Sequence, residues 1–371
     1  MKELNIGRIL TENRRRRGIT QDELAEYMGV SKASVSKWET AATYPDITML
    51  PRLATYFNIS IDELIGYEPQ MTREDIRRLY RKISRDFSEK PFDQVMEHCR
   101  EISKKYFSCT PLLFQIGCLY VNHCALAGSP EEIMRILAEA AELFVRIREE
   151  SQDAQLVSQA LNMEAFCLLR LGRADEVIEM LTPAIRLRMA PEPLLSSAHC
   201  MTGNAREAGR ILQAGMYQTV IELLNLLLAY IPLCRENDRA FEQTFDRILE
   251  LIASFRMETL HPGIILTAYI SLAQESVSRE ENEKALDLLE RYAELAASGI
   301  YPLYLHGDSY FDLLDEWLEE NCALGGDLPR TQAAVQKDIV RAVTENPAFA
   351  PLGGSIRYKS ILRRLEREVL S

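Results

Sequence analysis

Along the first 66 residues apolar positions recur three and four apart, the spacing of one helical face, and capping residues divide the segment into five helices. The first runs from about Leu4 to Arg17, with Ile6, Ile9 and Leu10 on one side, and stops at Gly18. Thr20 with Glu23 is a capping box that opens the second, whose inward residues are Leu24, Ala25 and Met28 before Gly29 ends it. Ser31 caps the third, on which Val35 and Trp38 face inward; Lys32, Ala33, Ser36 and Lys37 are left facing out. Pro45 and Asp46 open a fourth, with Ile47, Leu50, Leu53, Ala54 and Phe57 buried. Ser60 with Glu63 makes a second capping box for a short fifth helix ending at Gly66.

The stretch YEPQMTRED then reads as a hinge, in which Thr72 and Asp75 cap a new helix. Beyond it the pattern is helix after helix, punctuated by Gly or Pro. Three phrases repeat: ALAGSPEEIMRILAEAAEL, LRLGRADEVIEMLTPAIRL and LQAGMYQTVIELLNLLLAY, each a glycine followed by a hydrophobic stripe. Their glycines, Gly128, Gly172 and Gly215, are 44 and 43 residues apart, and a looser copy, SREENEKALDLLERYAEL, spans 278–295. The expectation is an all-α chain: a five-helix segment over 1–66, a linker over 67–75, and a helical-repeat domain over 76–371.

Composition agrees with this and adds a division of charge. Glycine and proline are sparse, and 47% of the residues are hydrophobic. Residues 1–66 hold nine Lys/Arg and nine Asp/Glu, so the rest carries the whole net charge of −12. An acidic body repels nucleic acid, which assigns any nucleic-acid binding to the neutral first segment. There Arg14, Arg15, Arg16, Arg17, Lys32 and Lys37 gather near the second and third helices, while Asp62 and Glu63 come much later. The eight cysteines lack a C-x-x-C pair and read as reduced thiols packed as small hydrophobes; no metal or cofactor is expected. The N-terminus does not read as a signal peptide, and the longest apolar run, LLNLLLAYIPL, is too short to span a bilayer, so a cytoplasmic protein is expected.

Two short helices joined by a glycine turn, the second with a free polar face, have helix-turn-helix geometry. The segment QDELAEYMGVSKASVSKWET, followed by YPDITMLPRLATYFNISIDELIG, resembles the phage-repressor or xenobiotic-response-element type of helix-turn-helix over residues 4–66. Gln21, Leu24, Ala25, Gly29, Val30, Ser31, Val35, Ser36, Trp38, Glu39, Pro45, Leu53, Asp62, Glu63 and Leu64 stand where that family's pattern expects them. The resemblance implies that the third helix lies in the DNA major groove, with its polar residues unpaired because base edges are their partners. Lys32 and Lys37 then donate to guanine, Ser36 donates or accepts, and the Ala33 methyl meets a thymine methyl. Gln21 anchors a phosphate by the same resemblance, and Ser31 and Arg17 complete the candidate contacts. Where the family often has a glycine and then a basic residue, this chain has Ala41 and Ala42, which removes a residue at ease with positive φ. Arg14 to Arg17 either offset the lost basic residue electrostatically or complement the dipole at the end of the first helix.

The repeated phrases resemble the glycine turn and second helix of tetratricopeptide repeats, at a period longer than the usual one of about 34 residues. That resemblance implies a right-handed superhelix whose concave surface binds extended peptides or proteins. Asn162 and Asn204 precede their glycines by 10 and 11 residues and Asn122 precedes its own by six, a spacing that puts them on one face. An asparagine amide donates to and accepts from a peptide backbone at once. The same residues equally suit solvated positions or local turns. No metalloprotease, P-loop, hydrolase-elbow or dinucleotide motif is present, and the five histidines are isolated, so an enzyme is not expected. A DNA-reading head on a helical-repeat body is similar to the cytoplasmic peptide-pheromone receptors of Gram-positive bacteria. The resemblance implies a homodimer, a double-stranded operator and a short peptide ligand, with no membrane partner. The competing expectation is an interaction scaffold without a small ligand.

Overall fold

The caps read from the sequence are present in the fold. A computed structural model describes residues 6–65, 71–185, 189–327 and 329–370. Leu4, the expected first helical residue, and residues 66–70, which include Gly66 and the first part of the expected linker, lie outside the described residues. The head comprises α1 (Ile6–Arg16), α2 (Gln21–Met28), α3 (Lys32–Glu39), α4 (Leu50–Phe57) and α5 (Ile61–Ile65). Thr20 and Glu23 form the reciprocal capping box, and Gly29 takes φ 70° at the end of α2, where an L side chain would be strained. Ser60 and Glu63 form the second box, each side chain accepting from the other's backbone N–H. Leu10, Leu24, Val35, Leu53 and Leu64 are fully buried together and make the core of this segment.

Ile47 departs from expectation. It is 76% exposed, because the chain enters α4 through a 3-10 turn, Ile47–Met49, whose Asp46 carboxylate accepts from the Thr48 N–H at 2.9 Å. The turn swings the isoleucine outward, and Pro45 is buried.

The rest of the chain is α6 (Arg73–Glu89), α7 (Phe92–Lys105), α8 (Thr110–His123), α9 (Pro130–Glu150), α10 (Ala154–Arg170), α11 (Ala174–Leu181), α12 (Glu192–Met201) and α13 (Ala205–Tyr230). It continues with α14 (Asp238–Ser254), α15 (Met257–Leu260), α16 (Pro262–Ser278), α17 (Asn282–Ala297), α18 (Leu314–Asn321), α19 (Gln332–Thr344) and α20 (Ile356–Val369). The described residues contain no strand beyond one isolated bridge, Tyr304 to Asp327, so the fold is all-α. Thr72 and Asp75 cap α6 as read, the Asp75 N–H donating to Thr72 Oγ1 at 3.2 Å.

The chain divides into two compact units: Met1–Ile76 with Met96–Cys118 and Ala138–Cys167, and Arg77–Val95 with Leu119–Leu137 and Leu168–Ser371. Within the first, Gly117 lets Phe144 approach closely, since a Cβ there would lie 2.6 Å from the ring. Within the second, Phe241, Ile248, Leu272, Leu289, Phe349 and Leu365 share a continuous core. Tyr292 donates to the Ile339 carbonyl at 2.7 Å and Tyr358 to that of Val343 at 3.1 Å, which satisfies both buried hydroxyls.

A repeated turn joins the helix pairs, though not at all the glycines expected. Gly172 has φ 77°, and the next residue, Arg173, donates back to Leu168 O at 2.9 Å. Gly203 has φ 79° with Asn204 donating to His199 O at 2.8 Å, and Glu280 has φ 63° with Glu281 donating to Ser276 O at 2.9 Å. Gly215 is no turn residue. It lies inside the 26-residue α13, where its missing Cβ makes room for the Glu192 side chain of α12, 2.9 Å from where that atom would be. The turn glycine that follows Gly172 is Gly203, 31 residues on, and Gly128 does not take the left-handed conformation, so the even spacing of 44 and 43 is not a structural period.

Five of the eight cysteines are buried, Cys200 is exposed, and none is in a disulfide. Among the described residues one helical stretch, Ala205–Cys234, is long and apolar enough to cross a membrane by length and composition. The run LLNLLLAYIPL alone understates it, because beyond Glu222, which precedes the run, residues 211–221 are also uncharged.

Candidate nucleic-acid interface

The third helix is held from beneath and from both ends. Val35 and Trp38 are buried in the head core, and the Ser31 hydroxyl accepts from the Ser34 N–H at 3.2 Å at the N-terminus. Gly7 of α1 lies against the last turn: a Cβ on it would sit 2.7 Å from the Trp38 carbonyl oxygen and 2.9 Å from that of Glu39. That close approach fixes α3 on α1. What remains outward is Lys32, Ala33 and Lys37, all exposed, with Ser36 half-buried beside them.

An ion pair ties the three helices together. The Arg14 guanidinium grips Glu39 with Nε at 2.5 Å from Oε1 and Nη2 at 3.0 Å from Oε2, and its Nη1 donates to the Ile19 carbonyl at 2.9 Å. Gln21 donates its amide to the same carboxylate at 2.8 Å. Burial opposes the charge on Glu39, yet the hydrogen bonds from Arg14 and Gln21, with the Arg14 charge, hold its carboxyl below the usual range. Arg14 is thereby committed to holding the fold, a role that neither reading of the arginine run gave it. Arg16 donates to Asn13 at 2.6 Å. Arg17 lies over Tyr56 and Phe57, 5.3 and 5.9 Å from the ring centroids, and stays exposed.

The outward lysines differ. Lys32 is not unpaired, as the sequence reading had it: its ammonium meets Asp22 at 2.6 Å across the turn. Both side chains are largely exposed, so the pair is weak and costs little to open. Lys37 is exposed. The Gln21 amide keeps its second N–H and its carbonyl for another partner. A face of this kind, with donors on a rigid short helix and a methyl between them, has the chemistry to read base edges, while Gln21 and the N-terminus of α2 suit a phosphate oxygen.

Residues 10–64 match the helix-turn-helix family. The N-terminal segment is a helix-turn-helix domain. It is 32% identical over 80 residues to the HTH-type transcriptional activator BcrR of Enterococcus faecalis, a match covering 20% of this chain and 39% of that protein. It is 28% identical over 86 residues to the HTH-type transcriptional regulator ImmR of Bacillus subtilis (strain 168), covering 23% of this chain and 68% of that one. The chain therefore spans about two-fifths of the length of the first of these relatives. Among solved structures, the apo form of the competence regulator ComR from Streptococcus vestibularis aligns with 86% of this chain and 98% of its own at 15% identity. The TM-score of that alignment is 0.27.

Outside the helix-turn-helix domain, the three asparagines have separate surroundings. Asn122, on α8, is partly buried and donates to the Tyr80 hydroxyl at 3.3 Å. Asn162 is exposed on α10. Asn204 is not on a first helix of a pair at all: it is the N-cap of α13, accepting from the Glu207 N–H at 3.4 Å, because the turn falls at Gly203 instead of Gly215. Two residues that position α3 in the helix-turn-helix domain do not stand out from the pattern of caps and apolar positions. Gly7 was signalled by a glycine inside an otherwise strong helix, and Glu39 matched the family pattern with no role given to it.

Proposed function

We propose that this chain is a cytoplasmic, sequence-specific DNA-binding transcriptional regulator, not an enzyme, whose helical body senses a short peptide or other small ligand and pairs two copies. The observation that carries the proposal is α3: capped, seated on buried Val35 and Trp38, with Lys37 and Ala33 exposed. The names of the relatives, an activator and a regulator of transcription, support it. The recurrent left-handed turn at Gly172, Gly203 and Glu280 supports a tetratricopeptide-like body, the architecture suited to peptide capture. A ligand alters DNA binding only by binding one arrangement of the chain more tightly than another. Purification of the native protein followed by mass spectrometry of what elutes tests the sensing role. A recurring short peptide supports it, whereas a stoichiometric partner protein with no small molecule supports the interaction scaffold.

Self-association is supported by α13. Leu212, Met216, Thr219, Leu223, Leu226, Tyr230 and Leu233 follow one another at four and three residues, the spacing of a helix-pairing seam. Leu226 is 61% and Leu233 81% exposed. Beside the seam Gln218, Glu222 and Asn225 are exposed too, and no Lys or Arg occurs between Arg210 and Arg235. A bilayer core would submerge those polar residues, and a helix lying at a membrane surface wants cations along its polar face, where this one has Gln218, Glu222 and Asn225. A second copy brings an identical stripe to a two-fold axis and leaves the polar flank wet.

A further inference from the structure

The hollows of the second unit differ in chemistry. The cavity beside α6 is lined by Arg81 and Asp327, which pair with one another, and by the exposed Arg85, so its charges are met or solvated. A groove between α12 and α13 is apolar instead. It measures about 310 Å³, and its walls are Pro193 of α12, Leu212, Met216 and Val220 of α13, and Phe255 just past α14. Glu192 contributes its Cβ and Cγ, laid over Gly215, and the Thr219 hydroxyl at its edge already donates to the Gly215 carbonyl at 2.8 Å. Pockets that hold a free small molecule usually carry a few convergent polar groups that fix its orientation. This groove suits an apolar side chain that is positioned from elsewhere.

The two helices differ in length. α12 has 10 residues and α13 has 26, about 15 and 39 Å at the helical rise. The chain turns back at Gly203, and α12 lies against α13 as far as Gly215, so it flanks only the first half of the longer helix. The second half carries exposed Leu223, Leu226 and Tyr230. One apolar stripe therefore has a hollow toward one end and protruding side chains toward the other. Leu223 is the middle position of that stripe, and Met216 and Tyr230 lie seven residues to either side of it, about 10 Å along the axis.

We propose that two copies pair through antiparallel α13 helices with the two-fold axis at Leu223, so that Tyr230 of each copy lies in the groove beside Met216 of the other. This rests on the self-association proposed above and gives it an orientation and a pocket completed by the second copy. Identical surfaces close into a pair only when the patch is complementary to itself under the two-fold. Antiparallel helices meet that condition: each hollow receives a ring, Leu223 meets its own copy, and each Met216 sulfur lies against an aromatic face. A parallel pair sets hollow against hollow and Tyr230 against Tyr230, which leaves two voids and forfeits their dispersion contacts. The groove is open at the surface, so the phenol hydroxyl keeps water as a partner.

The test is sedimentation equilibrium of the full chain. Met216→Lys and Tyr230→Glu are each expected to weaken the dimer about a hundredfold, since either one sets a charge against the apolar groove without a partner. In the double variant antiparallel pairing sets each lysine against a glutamate, so the dimer should recover by about tenfold or more over either single change. Helical circular dichroism should be the same throughout. If Met216→Lys unfolds the chain, Leu212→Lys with Leu233→Glu, the next opposed pair, takes its place, because both leucines are exposed. A double variant weaker than either single one, with Leu226→Glu still abolishing the dimer, would overturn the antiparallel register and keep the seam. Dimers indifferent to every one of these changes would end the seam, and a wild-type chain that stays monomeric would end both. A small apolar molecule that elutes from the wild type and is lost from Met216→Lys, while Tyr230→Glu remains dimeric, would overturn the proposal by giving the groove another occupant.

Discussion

Lys32 and Lys37 have the same charge on the same helix and different surroundings. Lys32 already has Asp22, and Lys37 stands exposed. Lys37→Ala should cost about 1–3 kcal/mol at a cognate site and relax base preference there, measured by binding-site selection. Gln21→Ala should weaken all sequences more evenly, and it should also lower the melting temperature, because it strips a donor from the half-buried Glu39. Backbone geometry gives a second contrast. Ala41 is held at φ 54°, so Ala41→Gly should stabilise the chain by about 1 kcal/mol, whereas Gly7→Ala should destabilise it by more, since both atoms in its way are backbone carbonyls. Thermal unfolding reads both. The strain at Ala41 was legible from the missing glycine; the Arg14–Glu39–Gln21 network was not, because residues 14, 21 and 39 meet only once three helices are packed. His123 gives a pH dependence of defined sign. Burial, stacked on Phe87 at 4.3 Å, lowers it from 6.5 to about 4. Between those values the unfolded chain takes up a proton that the folded chain refuses, so stability falls as pH drops through that window, by about 3 kcal/mol at most. His123→Leu should flatten this fall in chemical denaturation at pH 7 and pH 4.5, leaving the smaller contribution of His261, which burial lowers in the same sense.

At the scale of elements, the caps were the most legible feature, because Thr20–Glu23, Ser60–Glu63 and Thr72–Asp75 are local in sequence and bond locally in space. Glycines were less so. Gly172 and Gly215 look alike in sequence, yet one supplies a left-handed turn and the other a gap for Glu192, and only the neighbouring helix decides between those uses. The same ambiguity moved Asn204 from an expected helical face to a cap. Asn204→Ala should therefore lower stability by about 1 kcal/mol. For α13 the exposed seam leads to a definite expectation. Leu226→Glu should convert a dimer to a folded monomer in sedimentation equilibrium, with unchanged helical circular dichroism. A dimer that survives the substitution would remove α13 from the interface without touching the DNA-reading face.

For the whole molecule, the decisive feature is where charge is absent. The head is neutral and the remaining chain carries −12, so the proposed DNA binding is expected to rest on a few donors on α2 and α3 and not on a general basic surface. One such head reads few bases, and two copies are expected to read a pseudo-palindrome with half-sites about one helical turn apart or a multiple of it. Fold class and the helix-turn-helix segment were visible in the chain because both follow from local periodicity; the cavity beside α6 was not, because its lining residues Arg85, Tyr301 and Arg330 come from distant segments. The measurement that bears most directly on the central claim is selection of bound sequences from random duplex DNA by the full-length chain, run in parallel with its Lys37→Ala variant. The expected result is one enriched two-fold-symmetric sequence, with preference lost at matching positions of both half-sites in the variant. No enriched sequence, or an enriched sequence unaltered by the variant, would contradict the assignment of α3 as the helix that reads DNA.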